Sequence, residues 1–164
     1  MSELSAFDGK AISILSEITA RHGDERNFLN NIIKLCGDEE PVIAEGASWI
    51  LKAHFDAKNS ISPKQTAAFV NAAISTPSWA AQLHCCQIIG RLNLSKDQAA
   101  RLAAWLDPLL AHKRPFVRAW SLDALTSLVR ADEGLKTRAR TALKNAAGDS
   151  AASVRARARN IQLS

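Results

Sequence analysis

An apolar pattern recurs along this chain at an almost constant interval, and it constrains the fold more than any other feature of the sequence. Counted from Val117, the pattern has an apolar residue at position 0, a small residue at +4 and apolar residues at +7 and +8. These positions lie on one face of an α-helix. The matches begin near Phe7, Ile43, Ala81, Val117 and Val154. Because the starts are 36, 38, 36 and 37 residues apart, the sequence predicts a repeat protein.

A second apolar stripe lies between successive matches and keeps its own register. Eleven residues before the last four starts stand Ile32, Val70, Leu106 and Leu143. Fifteen residues before the same starts stand Phe28, Thr66, Leu102 and Ala139. Each repeat is therefore predicted to be a pair of helices, and the chain to contain nine helices, four pairs and a closing helix.

Residues typical of helix ends agree with this division. Ser62, followed by Pro63, and Ser95 stand where the second helices of two repeats should begin, and serine is a favoured N-cap. Pro41, Pro77 and Pro115 fall between one helix pair and the next, where proline costs least. We expect one all-α domain over residues 1–164.

The composition supports an all-α chain in a reducing compartment. Tyrosine is absent, and 164 residues contain only 7 glycines and 5 prolines. Cys36, Cys85 and Cys86 are an odd set without a C-x-x-C pair, so we expect free thiols. The sequence shows no secretory signal and no apolar run of membrane-spanning length, which predicts a cytoplasmic protein.

The segments "PFVRAWSLDALTSL" at 115–128 and "DSAASVRARARNI" at 149–161 show the repeat most clearly. A helix pair of this length that opens with Pro-x-Val-Arg, followed by a small residue and Ala-Leu, resembles the HEAT repeat, which is close to the armadillo repeat. The resemblance implies a right-handed α-solenoid of about four and a half repeats, with partners bound on the concave side formed by the second helices. HEAT repeats often carry an Asp six residues before the Arg, and these residues pair between neighbouring repeats. Only Asp149 and Arg155 fit both positions here.

Positive charge is concentrated in the C-terminal half. Residues 1–82 hold 7 Lys and Arg against 10 Asp and Glu, whereas residues 83–164 hold 14 against 6, a net charge of +8. The candidate phosphate-binding residues are Arg101, Arg138, Arg140, Lys144 and Arg155. One interpretation is a patch that binds a nucleic acid backbone. The other is a polar cap that covers the open end of the repeat stack.

Three tryptophans are candidate anchors for a protein partner. Trp49 and Trp120 stand at repeat positions that the other repeats fill mostly with polar residues, and Trp105 lies on a second helix. Tryptophan is enriched among the residues that dominate binding energy. Packing against a local loop is the alternative for Trp49 and Trp120. For Trp105 we expect a place in the concave groove.

Motifs for catalysis and metal binding are not found. The sequence has no phosphate-binding glycine loop, no H-E-x-x-H and no G-x-S-x-G. His84, Cys85 and Cys86 lack metal-ligand spacing, and the register places Cys85 inward and His84 outward. We expect no cofactor, no metal and no small-molecule substrate.

The sequence thus predicts a non-catalytic protein-interaction or adaptor module that binds an unknown protein and no membrane. The alternative is nucleic-acid binding through the basic C-terminal half. A minor form of that alternative is a HEAT-like DNA alkylation repair glycosylase, whose resemblance would imply a carboxylate beside an aromatic residue. The candidate pairs are Trp105 with Asp107 and Trp120 with Asp123.

Overall fold

The structure, a computed structural model, describes residues 2–163. Within that range it contains nine α-helices, two short 3-10 helices and no strand, so the predicted all-α class is confirmed. The α-helices are α1 (Ile12–His22), α2 (Phe28–Leu35), α3 (Pro41–Asp56), α4 (Pro63–Ser75), α5 (Trp79–Ile89), α6 (Lys96–Leu110), α7 (Pro115–Leu128), α8 (Lys136–Ala147) and α9 (Ala152–Asn160). The 3-10 helices are Ser2–Ala6 and Glu133–Leu135.

The chain forms two compact units, one up to Cys85 and one from Cys86, and the division falls inside α5. The first unit contains α1 to α4, and the second contains α6 to α9. That the two form a single HEAT-like repeat domain with a right-handed superhelix stays a prediction.

The predicted apolar stripes are buried in most of the chain. The residues at position +8 of the first four repeats, Leu15, Leu51, Ile89 and Leu125, are all at most 1% exposed. In the second helices, Ile32, Val70 and Leu106 are fully buried. Burial of large aliphatic side chains at helical spacing supplies most of the stability of such helix pairs.

The last helix pair departs from this pattern. Leu143 on α8 and Ala158 on α9 occupy stripe positions but are only half-buried, and Ala147 is exposed. The reason is that no further helix of the described residues packs over them.

The first helix begins later than predicted. The pattern places its start near Phe7, but α1 begins at Ile12, and Phe7 lies in the preceding loop with its side chain buried. The carboxylate of Asp8 accepts hydrogen bonds from the backbone N–H groups of Lys10 and Ala11, at 2.9 and 2.8 Å. This Asx-type turn competes with a helix through residues 8–11.

Two second helices begin with complete capping boxes. The hydroxyl of Ser62 accepts from the backbone N–H of Gln65, whose side chain accepts from the backbone of Ser62. Ser95 and Gln98 repeat this arrangement at the start of α6. The predicted N-caps are confirmed at both places.

Several side-chain hydrogen bonds within each unit join residues about one repeat apart. Ser48 Oγ lies 2.9 Å from His84 Nδ1, 36 residues further on, and Gln65 Nε2 donates to Asn30 Oδ1 over 35 residues. In the second unit, Arg138 Nη2 donates to the carbonyl oxygen of Ala103, 35 residues earlier, at 2.6 Å. Helix pairs adjacent in sequence are therefore in contact inside each unit.

Candidate functional site

The outward side of α7 carries the most exposed large apolar residue among those described. Phe116, Trp120 and Asp123 are spaced so that they share one side of the helix, opposite the buried Leu125. Phe116 is 64% exposed, whereas Trp120 is half-buried. Aromatic residues are enriched in protein interfaces, so an exposed Phe is a candidate contact for another protein.

Arg157 from α9 completes this surface. Its guanidinium carbon lies 3.9 Å from the centre of the Trp120 ring, and its Nη1 lies 3.5 Å from Asp123 Oδ1. The stacking is a cation–π contact, which favours this arrangement of the two side chains. Because Arg157 covers one face of Trp120, Phe116 is the more exposed aromatic of this surface. We call Phe116, Trp120, Asp123 and Arg157 the α7 face.

A bidentate ion pair holds the loop before α9 against α7. Arg118 donates from Nε and Nη2 to the two carboxylate oxygens of Asp149, at 2.8 and 2.7 Å, and from Nη1 to the carbonyl of His112 at 2.8 Å. The Arg118 guanidinium lowers the pKa of Asp149 to about 2. Arg155 donates from Nη1 to the carbonyl oxygens of Asp149 and Ser150, at 2.7 and 2.9 Å.

The five cations predicted to bind phosphate are spread over α6, α8 and α9. Arg155 donates a hydrogen bond to the carbonyl oxygen of Asp149 in the α8–α9 loop. Arg138 on α8 donates to the carbonyl oxygen of Ala103 and to the carboxylate of Asp107. The other three are exposed: Arg101 lies on α6, and Arg140 and Lys144 lie on α8. Arg140 and Lys144 are four residues apart and therefore share one side of α8.

A groove of about 470 Å³ lies between α6, α7, α8 and α9 in the second unit. Its apolar lining includes Leu110, Leu122, Ala142, Ala146 and Val154. Its polar lining includes Asp107, Arg118, Arg138, Thr141, Asn145 and Asp149. We call it the α8 groove. Its volume is within the range of ligand pockets.

The other two tryptophans predicted as partner anchors have the same burial class as Trp120, and their role stays a prediction. Trp49 on α3 and Trp105 on α6 are both half-buried. Trp79, which the sequence did not single out, is 39% exposed at the start of α5. Phe116 was also missed, although a signal was present, because the other repeats have Ala, Val or Ser at its position.

The expectation that His84 points outward was wrong. His84 is half-buried, its Nδ1 lies 2.9 Å from Ser48 Oγ, and burial lowers its pKa to about 4. A neutral imidazole at this position satisfies the buried Ser48 hydroxyl. Cys85 and Cys86 are at most 1% exposed and form no disulfide among the described residues, and burial raises the pKa of the Cys86 thiol to about 12. Among the described residues, no group of three or more His, Cys, Asp and Glu is arranged to hold a metal ion.

No family model, curated protein or solved structure matches this chain. Of the helices in residues 2–163, none has both the length and the apolar character needed to cross a membrane. Function is therefore inferred from the chemistry of the α7 face, the exposed cations and the α8 groove.

Proposed function

We propose that this chain is a non-catalytic protein-interaction module that binds an acidic partner protein through the α7 face. The observation that carries the proposal is the 64% exposure of Phe116 beside Trp120, whose ring is covered by Arg157. Aromatic residues and arginine are enriched in protein interfaces and among their energetically dominant residues. In this proposal Phe116 enters an apolar pocket of the partner.

The charge of the second unit supports an acidic partner. This unit holds 14 Lys and Arg against 6 Asp and Glu. Five of the six carboxylates lie within ion-pair distance of a Lys or Arg of the same unit, and they are Asp107, Asp123, Asp132, Glu133 and Asp149. The acidic groups are thus largely neutralised internally, and the exposed Lys113 lies three residues before Phe116. Such an excess of one sign attracts a partner of the opposite sign and speeds association.

A right-handed HEAT-like solenoid in the cytoplasm is part of the same proposal. Its support is the repeat spacing of 36–38 residues and the pairing of Arg118 on α7 with Asp149, which precedes α9. This contact corresponds to the Asp–Arg pairing between neighbouring HEAT repeats that the resemblance implies. Here the Asp is supplied by the following repeat.

Selection from a phage-displayed random peptide library on the immobilised full chain tests the proposal. We expect enrichment of peptides that combine acidic residues with a large apolar residue. Phe116→Ser should weaken their binding at least about tenfold, which equals roughly 1.4 kcal/mol. Ile12→Ser is the matched control because Ile12 is also an exposed apolar residue, 50% exposed on α1. An absence of enriched peptides, or equal weakening by both variants, would contradict the proposal.

Nucleic-acid binding is the second candidate function, and the exposed Arg101, Arg140 and Lys144 favour it. Fluorescence anisotropy of labelled duplex and single-stranded DNA at about 50 and 200 mM salt tests it. Binding that is lost at the higher salt and in an Arg140→Ala/Lys144→Ala variant would support this candidate. No binding at the lower salt would remove it.

The glycosylase form of that candidate finds little support in the geometry. Asp107 is bound to Arg138, and Asp123 lies beside Arg157, so both candidate carboxylates already have cationic partners. A general base needs a carboxylate within reach of the substrate.

A further inference from the structure

The last helix pair, α8 and α9, has one side that no other helix of the described residues covers. Arg138 and Asn145 lie on the side of α8 that lines the α8 groove, and Arg138 reaches α6. Arg140 and Leu143 lie on the opposite side of the helix, and Lys144 lies beside them. These three residues are therefore turned away from α6.

The preceding second helix, α6, shows what this side of a helix contacts. Ala103 and Asp107 on α6 stand 37 residues before Arg140 and Lys144. Both accept hydrogen bonds from Arg138 of α8, the next second helix. A helix that packed on α8 as α8 packs on α6 would meet two cations at these positions instead of a carbonyl and a carboxylate. It would therefore need an acidic residue in place of Arg138.

Arg155 on α9 has the same local contact as Arg118 on α7. Nη1 of Arg118 donates to the carbonyl oxygen of His112, six residues before it. Nη1 of Arg155 donates to the carbonyl oxygen of Asp149, also six residues before it. In Arg118, Nε and Nη2 bind the carboxylate of Asp149, which precedes the next helix. In Arg155, the same two donors make no hydrogen bond to another described residue, so they can bind a carboxylate.

Arg159 places a further cation on this side of the helix pair. It stands at the repeat position of Cys86 and Leu122, which are at most 1% exposed. Leu122 lines the α8 groove together with Val154 of α9, so this repeat position faces the following helix pair. Arg159 is exposed because no helix follows α9 in the described part of the chain.

We call Arg140, Leu143, Lys144, Arg155 and Arg159 the open face. The side chains of Arg140, Lys144 and Arg159 form no ion pair with another residue in 2–163, so their charge is available to a partner. The half-buried Leu143 supplies apolar surface between the two helices. A phosphate backbone would use only the cations, whereas an amphipathic helix with acidic residues would use the cations and the apolar surface.

We propose that the open face binds an amphipathic helix of a partner protein, with carboxylates along its edges and an Asp just before its first turn. The Asp binds the unused donors of Arg155 as the loop before α9 binds those of Arg118. Apolar residues of the helix cover Leu143, and its other carboxylates lie near Lys144 and Arg159. The helix thus takes the place that the following helix pair takes in the preceding repeat.

A titration of the ¹⁵N-labelled full chain, followed by NMR, tests this proposal. The probe is a peptide with the sequence of residues 148–161 in which the three arginines are replaced by Glu. It keeps the Asp before the helix and the apolar residues of α9. One control peptide has Asn in place of that Asp, and a second has a scrambled sequence that keeps the charge but loses the apolar stripe.

We expect the probe to cause saturable shifts of the amides of Lys144, Arg155 and Ala158. The Asn peptide and the scrambled peptide should each bind at least about tenfold more weakly than the probe. Equal affinity of the probe and either control peptide would overturn the proposal. Shifts centred on Phe116, or no saturable shift up to about 1 mM probe, would also overturn it. Duplex DNA that shifts the same amides at a lower concentration than the probe would assign the open face to a phosphate backbone, and the helix assignment would be wrong.

Arg155→Lys tests the contact with the Asp of the probe. Lysine keeps the positive charge but lacks the planar fork of donors that binds both carboxylate oxygens. In this variant, the affinities of the probe and the Asn peptide should agree within about twofold. A difference as large as in the wild type would overturn the role of Arg155.

Two double variants with the same change in net charge locate the site. Lys144→Glu/Arg159→Glu changes only exposed side chains and should weaken the probe at least about tenfold. Lys34→Glu/Lys64→Glu makes the same change at two exposed lysines of the first unit and should leave the affinity unchanged. Equal weakening by both variants would indicate unspecific attraction and overturn the proposal.

The open face is separate from the α7 face and does not rest on the function proposed for it. Arg157 of the α7 face and Arg159 of the open face lie on opposite sides of α9. Phe116→Ser should therefore bind the probe as the wild type does. Loss of partner binding at the α7 face and loss of probe binding at the open face are independent results.

Discussion

Replacing either member of the Arg118–Asp149 pair should destabilise the second unit. The two hydrogen bonds between them are charge-assisted and bidentate, and the side chains are only 15% and 16% exposed. Breaking an exposed ion pair costs about 0–1 kcal/mol of stability, and breaking a buried one costs about 3–5 kcal/mol. The cost of breaking this partly buried pair should lie between these values. We therefore expect Arg118→Met and Asp149→Asn each to lower the free energy of unfolding by about 2 kcal/mol. The coupling energy in the double-mutant cycle should be about 1–2 kcal/mol.

The coupling should also depend on pH in a defined direction. Because the pKa of Asp149 is lowered from its ordinary value of 3.8 to about 2, its ionised form contributes stability above pH 3.8, which is lost as the pH falls toward 2. Urea unfolding of the wild type, both single variants and the double variant at pH 7, 5 and 3 measures this. The coupling should be equal at pH 7 and 5 and smaller at pH 3. A coupling below about 0.5 kcal/mol at pH 7, or no decrease at pH 3, would refute the reasoning.

Three further predictions concern stability and titration. Leu125→Ala should lower the free energy of unfolding, measured in urea, by about 2–5 kcal/mol because Leu125 is fully buried. Phe116→Ala on the same helix should change it by less than about 0.5 kcal/mol because Phe116 is exposed. Equal effects would contradict the burial of the two residues. Ser95→Ala should cost about 1 kcal/mol through loss of the N-cap of α6, and no loss would argue against the capping box. Hydrogen bonds to Glu25 and then to Glu3 raise the pKa of His22, so the stability that its charge contributes is full below pH 6.5 and is lost as the pH rises through the raised pKa. An NMR titration should show this pKa fall toward 6.5 in Glu25→Gln, and an unchanged pKa would contradict the contact.

The core positions were predictable because the repeat gives several independent samples of one pattern. An apolar residue at +8 recurs in four repeats, and all four of these side chains are buried. Competition between a side-chain hydrogen bond and the helix was harder to predict. Asp8 accepts two backbone hydrogen bonds and delays the start of α1 to Ile12, although the apolar pattern begins at Phe7.

The candidate surface was predictable only in part, because it depends on contacts between helices. Trp120 was selected from its repeat position, and Arg157 stands at the same position of the next repeat. Equivalent positions of neighbouring repeats lie close together, which is consistent with the stacking of these two side chains. Phe116 precedes the apolar pattern by one residue, and a search for core positions passes over it. The α8 groove depends on the gap left between four helices, which the spacing of residues along one chain does not reveal.

The affinity of a selected peptide for the Phe116→Ser variant, relative to the wild type, tests the proposed interaction surface most directly. With Ile12→Ser as the control and anisotropy of the labelled peptide as the measurement, we predict at least about tenfold weaker binding for Phe116→Ser alone. Equal affinities of the wild type and Phe116→Ser would contradict the assignment of partner binding to the α7 face.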